Sequence, residues 1–316
     1  MSILDATFFR DEEAAYAKLE SVLWPTGPEC PHCGLVNDAD RIPANPDKKV
    51  RYGLYRCKAK ECRKQFTVTV GTVFEASHVP LHKWLQAAYL LNSSKKGISA
   101  KQIERTLQVT YKSAWFMMHH LRAAMDPIYV DAPTPMGGAR KTIEMDETYI
   151  GVDPTKPLRK KNQRGFGHKM AVFSLVERGG EVRSFHIDKA DQEIIRDIVS
   201  KNVHPHSKHY TDGAGIYRKN AMRLRHHDWV DHGAEEYVRG DVHTNTIEGF
   251  FSIFKRGMKG IYQHCSERHL ARYLAEFDFR YNNRESLGVN DMGRTANALK
   301  GAKGKRLSYR PLTTTD

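Results

Sequence analysis

No apolar run among the 316 residues approaches the roughly 18 that a membrane-crossing helix needs; the best candidate is Trp84 to Leu91. The opening residues carry Asp5, Asp11, Glu12 and Glu13 and lack a basic stretch followed by an apolar one, so no signal peptide is expected and the location reads as cytosolic. No internal repeat is visible. Cysteine is scarce: five residues, of which Cys30/Cys33 and Cys57/Cys62 form two local pairs while Cys265 stands alone as a free thiol. In a reducing compartment such pairs more often hold a metal than a disulfide. Acidic residues fall short, 37 against 50 Lys+Arg, and the net charge of +13 favours a polyanionic partner such as nucleic acid, although basic proteins that simply stay soluble are common. What is present is ordinary for a globular chain: 40% hydrophobic and 28% charged residues support a sizeable core and exclude wholesale disorder.

Periodicity divides the chain. Residues 11 to 24 read as a helix, and a Pro/Gly-punctuated stretch from Pro25 to Gly71 holds the cysteine pairs, with strands expected at Tyr52 to Arg56 and Gln65 to Val70. Three helices follow: Leu81 to Leu91, one started by the capping pair Ser99 and Gln102, and Tyr111 to Met125. After the linker Pro133 to Gly138 the pattern turns to strands at Thr142 to Ile150, Lys169 to Glu177 and Glu181 to Asp188, the last two joined as a hairpin by Arg178-Gly179-Gly180. A helix (Asp191 to Asn202), a short strand (His209 to Asp212), a mixed His-rich region and two helices (Thr246 to Met258, Glu267 to Tyr281) complete the body. The fold class is therefore multidomain α+β or α/β, with boundaries at 1–76, 77–132 and 138–285 and a basic tail over 286–316. The histidines at 204, 206, 209, 226, 227 and 232 read as a solvated surface, and Trp84, Trp115 and Trp229 as core.

Three constellations carry chemistry. Cys30-Pro-His-Cys33-Gly34 and Cys57-Lys-Ala-Lys-Glu-Cys62 offer four thiolates, which suit tetrahedral, structural Zn²⁺; the alternative is a redox pair or unrelated thiols, and the longer second spacing is unusual. Such a site supplies on the order of 10–16 kcal/mol, enough to fold a ribbon with little apolar core. The helices from 81 to 125 match helix-turn-helix spacing, whose second helix enters a DNA major groove and would present Tyr111, Lys112 and Ser113; a plain helical bundle is the competing reading. In Thr142 to Ile150, alternation sets Ile143 and Met145 on one face and Glu144 and Asp146 on the other. Asp212 ends a second strand. Glu248 shares a helix face with Ser252, Lys255 and Lys259, opposite the apolar stripe Ile247, Phe250, Phe251, Phe254 and Met258.

Taken singly, Asp146 is a solvated strand residue, Asp212-Gly213 a turn, and Glu248 the third residue of a capping box begun by Asn245. Taken together they repel: two unit charges 4 Å apart cost about 4 kcal/mol at an effective dielectric of 20. Hard divalent cations relieve that cost, and oxygen ligands select Mg²⁺ or Mn²⁺, two of which serve phosphodiester chemistry. The order strand-Asp, hairpin, helix, strand-Asp, helix-Glu is the order of a ribonuclease-H-like catalytic domain.

With Cys30-Pro-His-Cys33-Gly34, Phe66-Thr-Val-Thr-Val-Gly71, Met145-Asp146-Glu147-Thr-Tyr-Ile-Gly151, Tyr210-Thr-Asp212-Gly213, His243-Thr-Asn-Thr-Ile-Glu248, Lys255-Arg256 and Arg280-Tyr-Asn282 in sequence, the chain resembles bacterial insertion-sequence transposases that join a zinc ribbon and helix-turn-helix to a DDE-type ribonuclease-H-like domain. The resemblance implies that Asp146, Asp212 and Glu248 ligate two Mg²⁺ or Mn²⁺ ions, with Asn245 a minor candidate for the third position, and that Lys255, Arg256 and Lys259 hold DNA. Lys160, Lys161 and Arg164, in a basic stretch from Lys156 to Lys169, would lie beside the bound strand. It further implies double-stranded DNA partners (terminal inverted repeats and target DNA), a homo-oligomer on DNA, and a cytoplasmic, nucleoid-associated protein that cleaves and transfers strands. A DNA-binding regulator with a non-catalytic domain, or a nuclease without strand transfer, are the alternatives.

Overall fold

The computed structural model describes residues 3–127, 134–153, 155–157, 166–218 and 226–306. The chain forms two compact units, one of Met1–Ser94, Ile98–Pro127 and Asn290–Asp316, the other of Lys95–Gly97 and Ile128–Val289.

In the first unit, α1 (Glu12–Leu23) starts where Asp11 accepts from the Ala14 N–H at 2.7 Å, and it buries Ala15, Leu19 and Leu23 at helical intervals. An antiparallel ribbon follows: β1 (Ala39–Ile42), β2 (Leu54–Cys57) and β3 (Gln65–Phe66), with β2 central. The strand expected over 65–70 stops at Phe66. Beyond it the Thr67 and Thr69 hydroxyls pair at 2.8 Å and the Val70 N–H turns back to the Thr67 carbonyl, so the backbone leaves the ladder. β1 was not expected, because its sequence Ala-Asp-Arg-Ile is polar and half exposed. Helices α2 (Leu81–Asn92), α3 (Ala100–Leu107) and α4 (Tyr111–Met125) match the expected trio. Ser99 and Thr110 cap α3 and α4 by accepting from Gln102 and Ser113 N–H groups, and Gln108, at φ 51°, makes the tight turn between them.

The second unit holds β4 (Thr142–Ile150), β5 (Met170–Glu177), β6 (Val182–Ile187), α5 (Gln192–Asn202), β7 (Lys208–Asp212), α6 (Gly215–Arg218), β8 (His227–Val230), α7 (Asn245–Gly257) and α8 (Glu267–Asn282). The sheet order is β6-β5-β4-β7-β8; β4, β5 and β6 are antiparallel, whereas β7 runs parallel to both β4 and β8. This mixed sheet, with α5 bridging the antiparallel and parallel halves, is the ribonuclease-H-like arrangement. Ile143, Met145, Phe173 and Leu175 pack with Ile195, Val199 and Tyr217 on one face. Ile150, Met170, Val172 and Val182 pack with Phe250, Phe251, Phe254, Leu270 and Phe277 of α7 and α8 on the other. Gly257 permits that second layer: a Cβ there would stand 2.7 Å from the Lys96 carbonyl oxygen and 2.5 Å from the Phe277 ring. The edge strand β6 is covered by α8, where the Asn282 side chain accepts from Val182 N–H at 2.7 Å and donates to its carbonyl at 2.9 Å.

Three expectations are corrected. Residues 286–316 are not simply a basic tail: Asp291–Lys300 forms α9, capped by Asn290, which accepts from the Gly293 N–H at 2.8 Å. The cause is an apolar seam of Ala298, Leu299 and Ala302, all buried, which the surrounding lysines mask in composition. His209 is fully buried rather than solvated, because β7 lies inside the sheet between β4 and β8 and residues 209–211 are all buried. Trp229, on the edge strand β8, is 37% exposed and not core, while Trp84 is buried and Trp115 half-buried. Among the described residues no helix is long and apolar enough to cross a membrane.

Candidate active site and metal centre

The ribbon gathers its cysteines. Cys30 and Cys62 sulfurs lie 3.7 Å apart, those of Cys33 and Cys57 3.6 Å, and all four within 4.8 Å of one another. Zn–S bonds of ~2.3 Å in a tetrahedron put sulfurs ~3.8 Å apart, so the donor set has the size of a zinc site. Two turns build it. The Gly34 N–H bonds the Cys30 carbonyl at 2.8 Å with Gly34 at φ 79°, and the longer Cys57–Cys62 spacing is absorbed as Cys62 and Arg63 N–H groups both return to the Ala59 carbonyl. Burial pushes the Cys57 thiol up to about 12 and raises that of Cys30, while the Leu35 N–H lowers that of Cys33. Buried thiols of this kind ionise when a cation is at hand. Trp24 packs edge-on against Tyr55 and Phe66 beneath the site, a core too small to fold a ribbon by itself.

In the second unit the parallel ladder pairs Ile143 with His209 and Glu144 with Tyr210. Asp146 on β4 and Asp212 on β7 each lie two residues beyond the last of these pairs, on neighbouring strands. Both are half-buried. Glu248 lies in the first turn of α7; its side chain is 48% exposed, its Oε1 accepts from the Thr244 hydroxyl at 2.8 Å, and His232 Nε2 stands 3.8 Å away. The Asp146 carboxyl is held well above the usual carboxylate range, first by burial, then by the charges of Glu147, Asp212 and Glu248, against the Glu147 N–H that donates to it at 2.7 Å. Asp212 and Glu248 thus both act electrostatically on Asp146. Among the described residues the four cysteines are the one group of three or more donors at metal-bound spacing, so the acids stand further apart than that.

Neighbours that the sequence did not single out complete the site. Glu147 turns to the opposite face and accepts from the buried Tyr217 hydroxyl at 2.5 Å; its carboxyl is raised by burial, and by the charge of Asp212. Glu144, expected only as a face-mate of Asp146, is fully buried and occupied by four donors: Arg178 Nε at 2.6 Å, the Thr246 hydroxyl and N–H both at 2.8 Å, and the Ile247 N–H at 2.9 Å. The available signal was a second carboxylate on the strand face of Asp146. Asn245 directs its N–H to His243 Nδ1 at 3.3 Å, and α7 is preceded by Thr244, which makes no side-chain cap to the backbone, so the expected Asn245 capping box does not form.

The basic candidates are dispersed. Lys255 is half-buried with Nζ 6.0 Å over the Phe251 ring, and Arg256 is exposed with Nε on the Ser252 carbonyl at 3.1 Å. Lys259 is exposed in the π-helical turn, Met258–Tyr262, that continues α7. Tyr111 and Lys112 are exposed at the start of α4, and the Ser113 hydroxyl pairs with Thr110 at 2.9 Å. Lys160, Lys161 and Arg164 lie outside the described residues.

Comparison with known proteins gives the family. Residues 137–282 match the ISXO2-like transposase domain and residues 10–65 the transposase zinc-ribbon domain. An uncharacterized protein in transposable element ISH50 of Halobacterium salinarum is 30% identical over 292 residues, covering 86% of this chain and 91% of its own. Two solved structures are more distant: the Mos1 transposase paired-end complex with left transposon end (13% identity, TM-score 0.28) and a pre-cleavage Mos1 transpososome (12%, 0.25). Each covers 71% of this chain and 79% of its own, at scores too low to carry an argument. The chain belongs to the ISXO2-like transposases of insertion sequences, with an N-terminal zinc-ribbon domain.

Proposed function

We propose that this transposase binds double-stranded DNA at the terminal inverted repeats of its element and cleaves and transfers strands there, with Asp146, Asp212 and Glu248 holding two Mg²⁺ or Mn²⁺ ions. The observation that carries this reading is the convergence of charge on Asp146, whose carboxyl is held well above the usual carboxylate range by burial first and then by the charges of Glu147, Asp212 and Glu248. An all-carboxylate donor set whose members repel fits a hard divalent cation and little else. When bound, such ions activate the attacking oxygen and stabilise the leaving one.

The chain's own residues do the rest. Asp146 stands on β4, Asp212 at the end of β7 and Glu248 in the first turn of α7, and in this reading the three present their carboxylates to the ions together. Lys255, Arg256 and Lys259 offer cations to the phosphates that follow. Water attacks the phosphorus at the element's end and the P–O3′ bond breaks, leaving a 3′-hydroxyl. That hydroxyl attacks a target phosphodiester, and the target's own P–O3′ bond breaks in exchange. Tyr111, Lys112 and Ser113 at the start of α4 would face the major groove, the cysteine ribbon would be closed by Zn²⁺, and the assembly on DNA would be a homo-oligomer. Lys160, Lys161 and Arg164 are proposed to flank the bound strand.

The test is cleavage of end DNA with Mg²⁺ and joining to a supercoiled target. Wild type should do both, and Asp146→Asn should bind ends normally yet lower cleavage at least 1,000-fold, about 4 kcal/mol of transition-state stabilisation. Undiminished binding with no cleavage by wild type would leave a DNA-binding regulator, and nicks without joining would leave a nuclease.

A further inference from the structure

Glu144 spends a fully buried charge on something other than the ions, and its partners say what. We propose that Glu144 and Arg178 are positioning residues that lock the start of α7 to strand β4 and so hold Glu248 at its working distance from Asp146. The inference rests on the proposed function of that site. Glu144 lies two residues before Asp146 on β4, and its two oxygens accept from Thr246 N–H, Thr246 hydroxyl and Ile247 N–H, immediately ahead of Glu248. Arg178, at the end of the β5–β6 hairpin, reaches Glu144 through Nε. Its Nη1 donates to the Asp241 carbonyl and carboxylate at 2.9 and 3.0 Å, and its Nη2 donates to the His243 carbonyl at 3.0 Å and meets His243 Nδ1 at 2.9 Å. The guanidinium also lies 5.0 Å over the ring of Tyr210, two residues before Asp212. One ion pair, with its carboxylate fully buried and its guanidinium partly exposed, therefore ties together the segments that carry all three acids.

A helix start is ordinarily capped by a short neutral or exposed side chain, and a buried ion pair adds little to stability over well-packed apolar residues. What this pair does supply is a fixed geometry. The carboxylate also meets the positive end of the α7 dipole, a favourable place for a negative charge. Outer partners that orient metal ligands typically contribute 10–100-fold to metal affinity.

The experiment uses the full chain with end DNA and three variants: Glu144→Gln, the milder Thr246→Val, which removes only the hydroxyl donor, and Asp146→Asn as reference. Mn²⁺ affinity is read by electron paramagnetic resonance, alongside the Mg²⁺ midpoint for cleavage, end binding and melting temperature. Glu144→Gln should weaken Mn²⁺ about 10-fold or more and move the Mg²⁺ midpoint by a like factor, with end binding unchanged; Thr246→Val should move both the same way by a smaller factor. A lower melting temperature with Mn²⁺ affinity and Mg²⁺ midpoint unaltered in Thr246→Val overturns the positioning role, whether or not Glu144→Gln folds. If wild type binds no Mn²⁺ that Asp146→Asn abolishes, the functional reading itself falls.

Discussion

Acid should unfold this protein in a way traceable to a single histidine. His209 is fully buried on β7, and burial, helped by the charges of His227 and His226, pushes it from the ordinary 6.5 down to about 4. The pKa is depressed in the fold, so between those values the unfolded chain binds a proton that the folded chain refuses. Stability is therefore intact above about pH 6.5 and falls as the pH drops toward 4. The full difference, roughly 2.5 units at 1.36 kcal/mol each, is about 3 kcal/mol, most of it spent by pH 4.5. His209→Met keeps much of the volume and carries no titrating group. Urea unfolding at pH 7.5 and 4.5 should show wild type losing about 2.5 kcal/mol more than the variant over that interval. His227, also lowered by burial, remains in both proteins and cancels in the comparison. Equal losses within about 0.5 kcal/mol would refute the assignment of a buried neutral imidazole.

Asp146 works in the opposite sense. Its raised carboxyl means that ionisation opposes folding above the ordinary carboxylate pKa, so Asp146→Asn should melt higher than wild type in chelator, by about 2–4 °C for each kcal/mol relieved. A lower melting temperature for the variant would contradict the crowding of charges, and added Mn²⁺ should stabilise wild type more than Asp146→Asn. In the ribbon, Cys57→Ser or strong chelation removes on the order of 10–16 kcal/mol of binding energy from a module with a small aromatic core. Rapid proteolysis between residues 25 and 75, with one zinc per chain lost, is the expected readout; an intact ribbon after chelation would show that the metal is dispensable.

Much of the fold was legible because it is written in local periods. Tyr111–Met125 appears with both ends as expected, since Thr110 supplies a cap and Asp126-Pro127 a stop. The β4–β5–β6 strands and α8 follow from alternation and helical spacing in the same way. The ribbon was legible from cysteine spacing, and the zinc-ribbon match over residues 10–65 agrees with it. α9 was missed because its apolar seam is short and lies among lysines, and β1 because an exposed edge strand needs no apolar residue. His209 and Trp229 were misjudged together: burial on a strand depends on its place in the sheet, and β7 is an interior strand while β8 is an outer one.

Residue order alone determined the inventory: four thiolates in two knuckles, three acids in ribonuclease-H order, and a helix with an aromatic stripe opposite Glu248. These are decided by neighbours a few positions away, where spacing and geometry are nearly the same thing. The tertiary structure alone decided who serves whom. Glu144 and Asp146 share a strand face in sequence, yet one faces donors from the start of α7 and the other faces its fellow acids, because strand pairing and helix docking join positions about a hundred residues apart. Distance along the chain says nothing about which carboxylate meets a donor and which meets another charge; packing does.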